Sequence, residues 1–238
     1  MATVTGNLAG GNGVAQEAVP AWVAKLGVGF RALRHRNYRL FFFGQLISLI
    51  GTWMQSVAQA WLVLNLAGKD GDLLLGVTSA LQFTPVLLLS VFGGALADRL
   101  PKRNVLMVTQ SVMLTLALVL AVLNSLGIVQ VWHVLVLAAL LGAASAIDMP
   151  TRQAFIVELV GKEDLMNSIA LNSSVFNAAR IIGPGVAGLL IHGVGVSGCF
   201  YLNAASFVAV LTGMALMRPP FFTRPSAAKG GAPLTGGF

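Results

Sequence analysis

The stretch Phe176–Leu190, FNAARIIGPGVAGLL, sets a permanent cation and a Gly-Pro pair inside a run of small and apolar residues. At about 100° per residue, Ser173, Asn177, Arg180, Pro184 and Ala187 fall roughly on one face of a helix. Hydroxyl, amide and guanidinium groups on a shared face can bind a polar or anionic molecule. They cannot break bonds unaided, and Ser173 and Ser174 have no triad partner. Arg180 is the sixteenth residue of the apolar run Leu165–His192, so a rise of about 1.5 Å per residue puts it near the middle of a bilayer. An arginine at that depth costs about 2.5 kcal/mol or more unless it faces a cavity or a partner. Two readings stand: a contact in a wet path, or a buried bridge to amide side chains and carbonyls. Ala179, Gly183 and Ala187 make a ridge of small residues on which a neighbouring helix can pack closely. Gly183, Pro184, Ala187 and Gly188 are therefore the expected packing motif.

A second set of polar residues lies near the start of the chain. Gln45, Ser48, Thr52, Gln55 and Gln59 recur at steps of three or four in an apolar run. They fall within about 80° of helical arc. Such a stripe faces a neighbouring helix through hydrogen bonds or lines a wet cavity. Gln82, Thr84 and the kink-prone Pro85 follow, and Asn203 and Ser206 are weaker signals. Gln45, Thr52, Gln55 and Gln59, with Asn177 and Arg180, are the residues expected to line such a wet path.

A third constellation is GGALADRLPKR, with Gly94, Asp98, Arg99, Lys102 and Arg103 in a very short polar turn between apolar runs. Gly94 permits close helix approach, and Asp98 can pair with basic neighbours where a helix end meets lipid headgroups. Asp148, before Met149-Pro150, fits the N-cap of a helix restarting at the proline.

What is missing narrows the function. No acid lies deep in an apolar run, and His133 and His192 fall near run ends. There is no phosphate-binding loop, zinc motif or nucleophile elbow. Cys199 is the single cysteine, which excludes an internal disulfide. The expectation is a non-enzyme with no cofactor, no metal and no nucleic-acid partner.

These residues need elements to hold them, and the composition says which. Hydrophobic residues make up 56% of the 238, charged residues 10%, and the mean hydropathy is +0.82. A soluble domain carries about 25% charged residues, so most of this chain does not face water. Residues 1–21 read as a disordered lead-in without signal-peptide character. Residues 22–39, with Lys25, Arg31, Arg34, Arg36 and Arg39 among aromatic and aliphatic residues, read as a basic amphipathic segment on a lipid surface. Six apolar spans follow at about 40–67, 73–97, 105–124, 130–149, 165–192 and 196–217, with Asn124–Gly127 as the turn between the third and fourth. Residues 218–238 read as a Pro- and Gly-rich linker. The basic segment, two loops and the tail hold 13 of the 15 lysines and arginines of the net +7 chain. If six helices cross in turn, these segments share one side, which the positive-inside rule makes cytoplasmic for both termini.

The loop GGALADRLPKR resembles the G-x-x-x-D-R/K-x-G-R/K-R/K motif of the major facilitator superfamily, with Pro101 in place of glycine. R-x-x-G-P-x-x-A-G from Arg180 to Gly188 resembles that superfamily's Gly-Pro motif. The runs FRALRHRNYRLFFFGQLISLIGTWMQSVAQAWLVLNL and DMPTRQAFIVELV look like its enterobactin-exporter and macrolide-efflux branch. The resemblance implies an all-α membrane protein in the bacterial inner membrane. Its six transmembrane helices would be the N-terminal half of a twelve-helix fold, built as two inverted three-helix repeats. It implies proton-driven export of a siderophore or amphiphilic drug-like molecule by alternating access. Gly94, Asp98, Arg99, Lys102, Arg103 and Asp148, with Glu158 as a second candidate acid, would form a gating charge relay. The superfamily's usual span-four arginine is Ala138 here. The expected partners are a small-molecule substrate, the lipid bilayer, and a C-terminal six-helix half or a second copy. An inactive half-transporter or a membrane scaffold or sensor is the other class that fits.

Overall fold

The computed structural model describes residues 31–218, and within them every regular element is helical. A 3-10 turn at Arg31–Arg34 leads into α1, Arg36–Ala67. A second 3-10 turn, Gly68–Asp70, connects to α2, Gly71–Arg99. Then come α3, Lys102–Ser125, α4, Val131–Val160, and α5, Leu165–Ala215. Among the described residues, four helical stretches are long and apolar enough to cross a membrane: Arg36–Leu96, Lys102–Ser125, Val131–Val160 and Leu165–Ala215. The expected lead-in, the residues before Arg31 in the basic segment, and nearly all of the expected linker lie outside the described residues.

The longest helix, α5, breaks at Gly195, whose φ of 73° and ψ of 177° are non-helical. A positive φ is open to glycine because it has no Cβ to clash. Contacts along α1 give the direction of each arm. The Tyr38 hydroxyl donates to the Ser168 carbonyl at 3.1 Å, and Trp53 meets Gly183, so residues 165–194 run alongside α1 in the same direction. Gly44 meets Val210, Gly51 meets Asn203 and Ser206, and Gly213 meets Leu40, so residues 196–215 run the other way. The chain folds back at Gly195, with α1 lying against both arms.

Pairing elsewhere follows the same chemistry. In hydrocarbon, apolar burial gives helices little reason to associate, so small residues and polar contacts bring them together. A Cβ on Gly142 would collide with the Gln82 carbonyl, and one on Gly93 with the Ala146 carbonyl; this close seat joins α2 to α4. The Asn124 amide donates to the Ser197 hydroxyl at 2.6 Å, tying α3 to α5. Around these seats pack three apolar clusters, centred on Phe41, Phe155 and Met214; on Met54, Val134 and Phe200; and on Met113, Ala144 and Phe207. Large apolar side chains cover much of the outside, with Leu87 of α2 77% exposed and Leu189 of α5 79% exposed. That surface suits lipid or another apolar surface, not water.

Two boundaries differ from the sequence expectation for definable reasons. The helix of the fourth span runs on through Pro150 to Val160, so Asp148 is not an N-cap but an interior residue. Pro150 cannot donate to the Ala146 carbonyl, and that freed carbonyl lies against Gly93 of α2. At the other end, α1 begins at Arg36, so the last residues of the basic segment are already helical. The turn from α2 to α3 is only Leu100-Pro101, with Leu100 extended at φ −109° and ψ 155°. Extended backbone is what a following proline demands, so Pro101 makes the tight reversal where the motif has glycine.

Candidate functional site

Arg180 stands exposed on the first arm of α5, with Asn177 and Ser173 exposed one and two turns before it. Its guanidinium carbon lies 5.9 Å from the centroid of the Trp53 ring of α1. Phe176 meets the same indole edge to face, at 5.7 Å between centroids. The ring is fixed from behind, because a Cβ on Gly183 would collide with Trp53 Cβ and sit 3.0 Å from the Ile50 carbonyl. Ala179, Gly183 and Ala187 are buried, and so face the packed side of the helix that carries Arg180. Pro184 is half-buried, while Gly188 is exposed and a Cβ there would meet nothing within 4 Å. The Asn177 amide donates to the Ser173 carbonyl at 2.8 Å. Arg180 makes no ion pair among the described residues. A cation–π contact does not neutralise the charge, so the face keeps a full positive charge beside two aromatic rings.

The polar stripe of α1 lies elsewhere. Gln45, Ser48, Gln55 and Gln59 are buried, and Thr52 is half-buried with its hydroxyl donating to the Ser48 carbonyl at 2.9 Å. The Asn203 amide donates to Gln55 Oε1 at 2.6 Å, and the Ser206 hydroxyl to Asn203 Oδ1 at 3.1 Å. Gln55 thus turns to the second arm of α5. Trp53, two residues away and so about 160° around the helix, turns to the first arm. Gln45 borders a small cavity beside Asn172. Arg180 and Asn177 are brought together; Gln55 and Arg180 are not. Nothing in the sequence of α1 distinguishes Trp53 from Trp61. Only its seat against Gly183 marks it.

At the end of the bundle where α2 meets α3, the charged residues divide into separate sets. Arg99 is exposed, and neither it nor Asp98 makes an ion pair among the described residues. Lys102 is buried and pairs with Glu158. Arg103 Nε donates to the Met214 carbonyl at 2.9 Å, where a cation is favoured by the carboxyl end of a helix. Asp148, 1% exposed, accepts from the Thr109 hydroxyl at 2.7 Å and the Gln110 amide at 2.8 Å, and pairs with Arg152. Gln110 Oε1 and Arg152 Nε are buried there without a hydrogen-bond partner among the described residues. The close helix approach expected at Gly94 falls one residue earlier: a Cβ on Gly94 would meet nothing within 4 Å, whereas Gly93 abuts Ala146.

One cluster has no signature in the sequence. Asp164, just before α5, accepts from Arg34 Nη2 and contacts His35 Nε2, both at 2.9 Å, with Arg31 Nε at 3.5 Å. The Ala32 amide donates to Asn167 Oδ1 at 2.9 Å. The hydrogen bond from His35, then the positive charges of Arg34 and Arg31, hold the Asp164 carboxyl below its ordinary value against the effect of burial. At an N-cap position its side chain makes no capping bond, so the acid serves the distant basic segment instead. His133 acts locally as well. Its Nδ1 accepts from the Gln130 backbone N–H at 3.0 Å, in the capping box that begins α4. Among the described residues no group of three or more His, Cys, Asp or Glu side chains is placed to hold a metal.

Comparison with known proteins places this arrangement. A family model described as transmembrane secretion effector matches residues 27–227. The staphyloferrin A transporter of Staphylococcus aureus is 30% identical over 175 residues, covering 73% of this chain and 44% of that protein. The multidrug efflux pump Tap of Mycolicibacterium fortuitum is 27% identical, over 75% of this chain and 44% of its own length. Macrolide efflux protein A of Streptococcus pyogenes is 23% identical, over 79% and 47%. The chain spans less than half the length of these relatives. No solved structure matches it significantly. The chain belongs to the transmembrane secretion effector family of the major facilitator superfamily.

Proposed function

We propose that this chain is the N-terminal half of a secondary active exporter that moves small amphiphilic molecules by alternating access. The observation that carries the reading is the exposed Ser173–Asn177–Arg180 face of a mostly apolar helix. A bare guanidinium is costly in lipid, but not in a water-filled path between two halves. On this reading α1 and α2 cross once each, as do α3 and α4, and α5 crosses twice by turning at Gly195. That makes six spans in two inverted three-helix repeats, with both termini cytoplasmic in a bacterial inner membrane. A C-terminal six-helix half or a second copy supplies the opposite wall. Siderophores and amphiphilic drug-like compounds are the substrate classes that its relatives' names support, and the proton gradient is the drive.

In this scheme Asn177 and Arg180 contact the substrate. Gln45, Thr52, Gln55 and Gln59 serve the path through the packing of α1 on α5, and Gly183, Pro184, Ala187 and Gly188 shape the helix that carries the cation. Gly94, Asp98, Arg99, Lys102, Arg103 and Asp148 work the cytoplasmic gate, with Asp98 and Arg99 pairing across it. Efflux from cells expressing the full transporter tests the path. Arg180→Ala should abolish export while the protein still reaches the membrane in normal amount, and wild-type efflux from that variant would refute the assignment.

A further inference from the structure

Arg180 lies over an aromatic ring and pairs with no acid among the described residues, and this says what kind of molecule its face accepts. The indole of Trp53 lies 5.9 Å from the guanidinium, with Phe176 braced against that indole at 5.7 Å. Quadrupole attraction of this kind orients a guanidinium without cancelling its charge. The guanidinium has five N–H donors in a rigid planar fork and no acceptor of its own. A planar two-oxygen anion is its geometric complement, and such charge-assisted pairs are the strong ones. The uncompensated charge also repels cations. Exposed apolar side chains stand on the same arm of α5: Phe176 is 40% exposed and Ile181 77% exposed.

We propose that Trp53, Phe176 and Arg180 form a subsite for a carboxylate-bearing amphiphile, with the carboxylate on the fork of Arg180 and the apolar body on Phe176 and Ile181. Trp53 is a positioning residue: it sets the plane of the guanidinium and is itself set by Gly183. This rests on the path assigned above and sharpens it to a charge class, because the subsite rejects cationic amphiphiles of the same size.

Three probes of one shape separate the possibilities: naphthylacetate, its uncharged isostere naphthylacetamide, and the cation naphthylethylammonium. Each is titrated by calorimetry against the full chain in nanodiscs of zwitterionic lipid, with empty nanodiscs subtracted. The acid should bind at least about tenfold more tightly than the amide, and the cation should show no binding. Arg180→Gln should erase the preference for the acid, and Arg180→Lys should keep part of it, as a charge without the fork. Trp53→Leu should weaken the acid more than the amide, whereas a merely structural role for the ring would weaken both alike. Elution of each variant as a single monodisperse species shows that it folds. Equal binding of acid and amide, both lost in Arg180→Gln, would overturn the charge class and leave the path standing. Binding that Arg180→Gln leaves unchanged would overturn both. So would the absence of binding by all three probes up to about 1 mM.

Discussion

Single buried acids in this protein sit in two different settings, and each predicts a different response to substitution. Asp148 is enclosed by donors from Thr109, Gln110 and Arg152. Asp148→Ala leaves a mostly buried cation and two donors without their acceptor, which costs about 3 kcal/mol. Asp148→Asn keeps an acceptor oxygen and should cost clearly less. Denaturant unfolding in detergent micelles compares the two. Asp164 is set for pH. Its carboxyl is held below the ordinary value of 3.8 by His35, Arg34 and Arg31. A depressed folded-state value means that the stabilisation is complete above the unfolded value and lost as pH falls through the folded one. Wild type and Asp164→Asn should therefore differ at about pH 7 in hydrogen exchange of residues 31–35, and the difference should close as the pH is lowered past 3.8. A difference that persists unchanged to about pH 2 would contradict the clasp.

Among the elements, the fit of α1 against α5 has the most consequence for the site, because it seats Trp53 beside Arg180. Gly183→Val would force branched methyls against Trp53 Cβ and the α1 backbone. Overpacking of that kind costs ~2 kcal/mol, and it should also lower substrate affinity by moving the indole. Gly185→Ala, where a Cβ meets nothing within 4 Å, should leave both unchanged. A shared thermal-shift and binding series tests the pair. The contrast also shows how far the sequence was readable at this level. The small-residue ridge Ala179–Gly183–Ala187 was legible because a fixed helical period puts all three on one face, and Arg180 because a charge stands out in an apolar run. Trp53 was not, since its role depends on a glycine 130 positions away (183 less 53). Nor was the Asp164 cluster, whose acid and bases are about equally far apart. The continuation of α4 past Pro150 was hidden for a related reason: a proline reads as a boundary unless a neighbour such as Gly93 takes up the freed carbonyl. The polar stripe of α1 was visible as a stripe, but whether it met water or Asn203 depended on which arm of α5 packs there.

At the scale of the whole molecule, the apolar exterior, the spacing of long helices and the family membership describe a membrane bundle with a polar face. The proposed orientation puts residue 217 on the cytoplasmic side, so an alkaline phosphatase fusion after Met217 should be inactive; strong periplasmic activity would reverse the topology. The central claim is that the face around Arg180 meets water and not lipid. Cysteine accessibility in intact cells tests it most directly, because Cys199, the one native cysteine, is buried and leaves a low background. A hydrophilic, membrane-impermeant maleimide should label Asn177→Cys and leave Leu87→Cys, on the exposed apolar outside of α2, unlabelled. An unlabelled Asn177→Cys beside a labelled loop control at Lys69→Cys would contradict the account.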